Sequence, residues 1–208
     1  MKLKREATEI LKELESRDAI DVQDGTPKER RVRCITELMG QFLHLMILIA
    51  RPRHILECGT SAGYSTIWLA TAAEHIGASV VSVETDRDKV LWARNNLERA
   101  GLGEVVNVVQ APAVDFINKA VGPFEMVFMD HGAGFYVETF DAILPKLAIG
   151  GCVLVDGWKC VERWDTVPDL VSYKNRVLND PDFRSFLLPV EKGMMISTRV
   201  SSQPQRGT

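Results

Sequence analysis

Leu3, Ala7, Ile10, Leu11 and Leu14 recur at intervals of three and four, the spacing that lays one apolar stripe along a helix. Residues 1–18 therefore read as an amphipathic helix. The polar run DVQDGTPKERR at 21–31 predicts a loop, and a second helical stripe follows at Leu38, Phe42, Leu45, Met46 and Ile49 until Pro52 stops it. Beyond that proline the pattern alternates between short apolar runs and stretches of helical period. The runs at 54–57, 79–83, 105–109, 126–129 and 152–155 predict strands, and the intervening stretches at 64–74, 87–100, 114–120 and 136–147 predict helices. Such alternation implies a parallel sheet covered on both faces. After Val155 the order changes to a polar loop, a helix over 166–178, and two strands at 186–190 and 194–198 around Glu191-Lys192-Gly193, which read as an antiparallel hairpin at the sheet edge. The expected fold is a doubly wound, mostly parallel α/β sheet in one domain over 1–208. Its helical segment spans 1–50 and its Rossmann-like core 51–200.

Composition narrows the partners. A chain of 208 residues with 46% hydrophobic and 25% charged residues has the profile of a soluble globular protein, and a formal charge of -3 gives no basic surface for nucleic acid or a membrane. The longest strongly apolar run, 42–50, is far short of the roughly 20 residues that span a bilayer. Cys34, Cys58, Cys152 and Cys160 form no C-x-x-C pair and no disulfide framework, so the expected compartment is the reducing cytoplasm and the expected partner a small molecule.

The candidate chemistry starts at ILECGTSAGYS, residues 55–65, where an apolar strand runs into a turn with two glycines and ahead of the next helix. In an open parallel sheet a ligand sits beyond the carboxyl ends of the strands, and Gly59 and Gly63 permit close approach of the backbone. Tyr64 and Ser65 open the helix, with Ser65 a candidate cap. Glu84 ends the second strand, 21 residues after Gly63, and a carboxylate there can accept both hydroxyls of a ribose. The glycine spacing is G-x-x-x-G, with Ser61 between, and this disfavours the G-x-G-x-x-G turn of nicotinamide cofactors; a phosphate-cradling G-x-x-x-x-G-K-[ST] loop is absent. A nucleoside with a short, non-phosphate appendage fits best.

These residues resemble the first motif of class I S-adenosylmethionine-dependent methyltransferases, in the LEIGTxxGYS form of the catechol and caffeoyl-CoA O-methyltransferase family. The resemblance extends through Glu84, Ala111-Pro112-Ala113, Asp130 and GGCVLVDGW, covering roughly 35–199. It implies a seven-stranded sheet whose last two strands form the hairpin, a methyl donor as cofactor, and a homodimer. It also implies site residues. Glu57, Gly59, Thr60 and Gly63 would lie against the methionine part, with Tyr64 and Ser65 near its carboxylate and Ser61 also in the cofactor site. Glu84 would hold the ribose, Ala113 would lie at the adenine, and Asp130 would receive the ammonium group.

In the family it resembles, a magnesium ion on two aspartates and an asparagine lowers the acceptor's pKa, and a lysine assists deprotonation. Asp130 and Asp156 match the aspartates, but Gly157 stands at the asparagine position and Ala133 at the lysine position. Binding of a divalent cation is therefore expected to be weak or absent. His131 is the substitute candidate for the catalytic base beside Asp130, since imidazole titrates near neutral pH. Lys159 could reach the site, and Trp158 and Trp164 could wall a flat phenolic acceptor. The leading expectation is O-methylation of a small molecule. The alternative is a noncatalytic protein that kept the S-adenosylmethionine pocket and lost the chemistry.

Overall fold

Helix α1 (Arg5–Gln23), helix α2 (Glu37–Ala50), strand β1 (His54–Cys58), helix α3 (Tyr64–Ile76), strand β2 (Ser79–Glu84), helix α4 (Arg87–Arg99) and strand β3 (Val106–Gln110) make up the first half of the chain. Helix α5 (Ala113–Lys119), strand β4 (Phe124–Met129), helix α6 (Tyr136–Ile143), strand β5 (Leu147–Asp156), helices α7 (Arg163–Thr166) and α8 (Pro168–Leu178), and strands β6 (Phe183–Leu188) and β7 (Met194–Arg199) follow. This computed structural model describes residues 3–132, 134–157, 162–189 and 193–201. The strands form one seven-stranded sheet in the order β3-β2-β1-β4-β5-β7-β6, the expected α/β architecture. Two units divide the chain: Met1–Arg53 with Thr60–Ala111, and His54–Gly59 with Pro112–Thr208.

In the first unit, α1 buries the expected stripe of Ala7, Ile10, Leu11 and Leu14. It also runs on through Asp21, where the sequence pattern predicted a loop. Asp21 is only 1% exposed, and its carboxylate is satisfied by Arg17 Nε at 2.9 Å and the Val32 N–H at 3.2 Å, so a charged residue is tolerated in the last turn. Helix α2 is capped by the Thr36 hydroxyl, which accepts from the Met39 N–H. Its buried face is Met39, Gly40, Leu43, His44 and Ile47, whereas Leu38, Leu45 and Ile49 of the expected stripe are 53%, 49% and 68% exposed. Both rows are apolar, so periodicity alone could not choose between them. Gly40 makes the choice: a Cβ there would meet the Trp68 indole nitrogen at 2.3 Å, so the ring of α3 lies where only a glycine can face it. Strands β2 and β3 pair in parallel from Val80 opposite Val106 to Glu84 opposite Gln110.

In the second unit, β1 pairs in parallel with β4, and β4 with β5, while β7 runs antiparallel to both β5 and β6. Leu56, Val127, Phe128, Val153, Leu154 and Val155 are fully buried, as a sheet covered on both faces requires. The helix expected over 136–147 ends at Ile143, because Pro145 tightens the chain into a 3-10 turn before β5 starts at Leu147. The helix expected over 166–178 is divided at Val167, and Pro168 opens α8 in the position where its missing N–H costs nothing. The two hairpin strands pair antiparallel as expected, but β6 starts at Phe183 and ends at Leu188, earlier than the run at 186–190, while residues 190–192 lie outside the described residues.

Candidate functional site

Residues 60–63 belong to the first unit and link β1 to α3. Gly63, with φ of +91°, occupies the cap position of α3, so Ser65 is not the cap; it lies inside the first turn and is 6% exposed. Thr60 is buried and shares a hydrogen bond with Ser82 at 2.5 Å. The Ser61 N–H donates to Glu84 Oε2 at 2.9 Å, and the Ala62 carbonyl accepts from Asn96 Nδ2 of α4 at 2.9 Å. The turn is thereby fixed from β2 and from α4. Ser82 and Asn96 were missed by sequence reasoning. Asn96 is 2% exposed in an otherwise apolar helix face, and a buried amide amid charged neighbours was the one available signal.

Glu84 also orders its own end of β2. Its Oε1 accepts from the Thr85 N–H at 2.8 Å, the Asp86 N–H at 3.0 Å and the Thr85 hydroxyl at 3.3 Å. Oε2 accepts only from the Ser61 N–H and keeps a lone-pair direction for one hydroxyl of a diol, while at Oε1 a second would replace the longest contact, the Thr85 hydroxyl. Tyr64 is 3% exposed, and its hydroxyl donates to Glu15 of α1 at 2.5 Å. Burial, and then that hydrogen bond, push its phenol pKa upward, so it stays neutral as a donor.

Glu57, Gly59, Ala113, Asp130, His131 and Asp156 belong to the second unit. Glu57 is fully buried in β1. Gly59 has φ of +105°, and a Cβ on it would stand 2.7 Å from the Asp130 carbonyl oxygen and 3.0 Å from the His131 Cα. The Asp130 N–H donates to the Cys58 carbonyl at 2.9 Å, so β1 and β4 converge at this glycine. Ala113 is the first residue of α5, after Pro112. His131 Nε2 lies 2.7 Å from the Thr139 hydroxyl, and the ring sits 5.3 Å from that of Tyr136, whose hydroxyl donates to the Asp156 carbonyl at 3.4 Å.

Met129 pairs with Val155, so Asp130 and Asp156 come next, side by side at the carboxyl ends of β4 and β5. The donor set for a cation is these two carboxylates, with Gly157 beside them offering no side-chain oxygen. Among the described residues no group of three or more carboxylate, imidazole or thiolate side chains converges. That is one hard donor short of the set the resemblance implied, and it fits a structural magnesium site poorly.

One expectation fails here. Trp164 is fully buried, donates to the Gly193 carbonyl at 3.3 Å and packs on Tyr173, so it is a core residue and not an acceptor wall. Cys58 and Cys152 are buried thiols whose pKa is raised by burial, Cys152 to about 11, which suits packing and not nucleophilic attack. Ala133, Trp158, Lys159 and Cys160 lie outside the described residues.

Residues 56–158 match the family described as a methyltransferase domain. The fold, the glycine turn and the acidic end of β2 agree with that match, and the chain belongs to the class I S-adenosylmethionine-dependent methyltransferases. Two curated relatives carry the comparison further. The chain is 36% identical over 121 residues to a catechol O-methyltransferase of Niastella koreensis, covering 56% of this chain and 54% of that protein. It is 42% identical over 123 residues to a catechol O-methyltransferase of Mycobacterium tuberculosis, covering 59% of this chain and 56% of that protein. The chain's curated relatives also include a caffeoyl-CoA O-methyltransferase of Petroselinum crispum, 25% identical over 181 residues, covering 78% of this chain and 75% of that protein. The matched segments span about half the length of the first two curated relatives. The fold likeness is wider: an O-methyltransferase from Bacillus cereus, solved in complex with SAH, superposes with a TM-score of 0.76 at 24% identity, over 92% of this chain and 90% of that one.

Proposed function

We propose that this protein is an S-adenosylmethionine-dependent O-methyltransferase acting on a small phenolic acceptor. The observation that carries the reading is the hydrogen bond from the Ser61 N–H to Glu84, which ties the glycine turn to the carboxylate suited to a ribose. Relatives named catechol and caffeoyl-CoA O-methyltransferases support the acceptor class.

When bound, S-adenosylmethionine supplies an electrophilic methyl carbon on a sulfonium, already activated for transfer. The chain's own work is then to bind, orient and exclude water. In this reading Glu84 accepts the ribose hydroxyls in place of the Thr85 hydroxyl, and Ala113 lies at the adenine. Glu57, Gly59, Thr60 and Gly63 bound the methionine part, Tyr64 and Ser65 lie near its carboxylate, Asp130 receives its ammonium group, and Ser61 belongs to the same cofactor site. His131 is the candidate base for the acceptor hydroxyl, and the Thr139 contact at Nε2 fixes its ring plane. No step is assigned to a metal, because Asp130 and Asp156 alone are an incomplete donor set. The proposal includes a cytoplasmic homodimer: no helix among the described residues is long and apolar enough to cross a membrane, and α2 turns Leu38, Leu45 and Ile49 outward.

The test is calorimetry with S-adenosylmethionine, followed by a screen of catechols and related phenols with methyl-labelled donor, with magnesium and with EDTA. Product that survives EDTA supports the enzyme without an essential metal. Tight donor binding with no product from any acceptor supports the noncatalytic alternative, and no donor binding overturns both.

A further inference from the structure

Among the described residues, three that are not glycine have left-handed backbone: Arg33 at φ +56°, Arg51 at +50° and Ser61 at +47°. Arg51 ends α2. The other two flank a single hydrogen bond, in which the Ser61 hydroxyl donates to the Val32 carbonyl at 2.6 Å. Left-handed conformation costs a residue with a Cβ, and such residues persist only where their surroundings hold them. What holds Ser61 on one side is Glu84. What holds Arg33 is the end of α1. Asp18 accepts from the Arg33 N–H through Oδ1 at 3.0 Å and from the Cys34 N–H through Oδ2 at 3.2 Å, and Asp21 accepts from the Val32 N–H. Three consecutive backbone amides of an irregular segment are thus gripped by two carboxylates three residues apart on one helix.

We propose that Asp18 is a positioning residue for the methyl donor: by clamping residues 32–34 it sets the Val32 carbonyl that fixes Ser61, and with it the turn presented to the donor. This rests on the function proposed above. Asp18 itself need touch no ligand. Its carboxylate is suited to the task because its two oxygens satisfy two adjacent N–H groups at once, which an amide side chain, with one oxygen and one NH2, cannot do. Asp21, being buried and paired with Arg17, serves the same segment but also the helix end, so Asp18 is the cleaner probe.

The experiment measures the affinity of the full chain for S-adenosylhomocysteine by calorimetry in Asp18→Ala, Asp18→Asn, Ser61→Ala and the Asp18→Ala/Ser61→Ala pair. Loss of the clamp is expected to weaken binding about tenfold in Asp18→Ala, with Asp18→Asn in between because one of the two N–H groups keeps its acceptor. Ser61→Ala is expected to weaken binding similarly, and the double variant to bind no more weakly than the weaker single, since both remove the same support. Affinity unchanged in Asp18→Ala, or losses that multiply in the double variant, would overturn the inference while leaving the function intact. If Asp18→Ala does not fold, Asp18→Asn carries the test through amide exchange: loss of protection at 32–34 and 60–63 together supports the clamp, and loss at 32–34 alone overturns it. Failure of the unaltered chain to bind overturns the function and this inference together.

Discussion

The Ser61 N–H donates to Glu84 Oε2 at 2.9 Å, so the carboxylate that ends β2 is also the anchor of the turn that follows β1. In the proposed function the same side chain also holds the ribose. Removing it should cost donor affinity both directly and by loosening the turn.

Glu84→Ala is expected to weaken S-adenosylmethionine binding by roughly 10- to 100-fold, the range for losing hydrogen bonds to a charged group. Glu84→Gln should fall between, because its single oxygen can keep the Ser61 contact. Calorimetry decides the matter, and equal affinity in all three forms would exclude Glu84 from the site.

Gly59→Ala places a methyl group 2.7 Å from the Asp130 carbonyl oxygen on a backbone with φ of +105°. Clash and strain together should cost roughly 3 kcal/mol of folding stability. The midpoint of a urea transition, at unchanged slope, reads this directly. A loss below about 0.5 kcal/mol, the usual size for an ordinary surface substitution, would mean that β1 and β4 do not converge here.

Gly40→Ala probes the first unit in the same way. The new methyl would meet the Trp68 ring at 2.3 Å, and overpacking of this kind costs about 1–3 kcal/mol. Leu45→Ala, on the exposed face of the same helix, should leave the stability of the monomer nearly unchanged. A reversed ranking in thermal unfolding would put the buried face where periodicity alone first placed it.

His44 is 7% exposed, with Nδ1 3.2 Å from the Thr71 hydroxyl and 3.3 Å from the Trp68 carbonyl. Burial, the largest cause, lowers its pKa below the usual 6.5, and repulsion from His75 acts in the same direction. The unfolded chain then binds the proton more readily than the folded one, so stability should be full above about pH 6.5 and decline as pH falls below it. His44→Gln should flatten that decline when urea midpoints at pH 7.5 and 5.5 are compared; an identical slope in the variant would remove His44 as its source.

Gly157→Asn restores one oxygen donor beside Asp130 and Asp156. If the reading of the donor set is right, methyl transfer by the variant should gain a response to magnesium that the unaltered chain lacks, seen as a rate that rises with the metal and falls with EDTA. Stimulation of the unaltered chain to the same degree would sink this prediction.

Much of the fold was legible because strand runs such as 126–129 and 152–155 are apolar without interruption, and only a covered parallel sheet accepts that pattern. The faces of α2 were not legible: Leu38-Phe42-Leu45-Ile49 and Met39-Leu43-Ile47 are equally apolar rows, and a glycine facing a distant tryptophan decided between them. Helix ends at Ile143 and Val167 were misplaced where a proline's local effect outweighed a continuing helical period. In the candidate site, Gly59, Gly63 and Glu84 were read from residue type and spacing and Asp130 and Asp156 from the family resemblance, whereas Trp164 misled because a loop-like neighbourhood says nothing about burial.

By itself the sequence determined the order of strands and helices, the glycine turn and the acid 21 residues beyond it, since these depend on local period and on residue types that few backbones tolerate elsewhere. Only the tertiary structure decided which polar groups meet. Ser61 with Glu84 and Val32, Asp18 with Arg33 and Cys34, and Asn96 with Ala62 are contacts between residues far apart in the chain. A hydrogen bond is satisfied by distance and direction in space, and no periodicity along the chain encodes either.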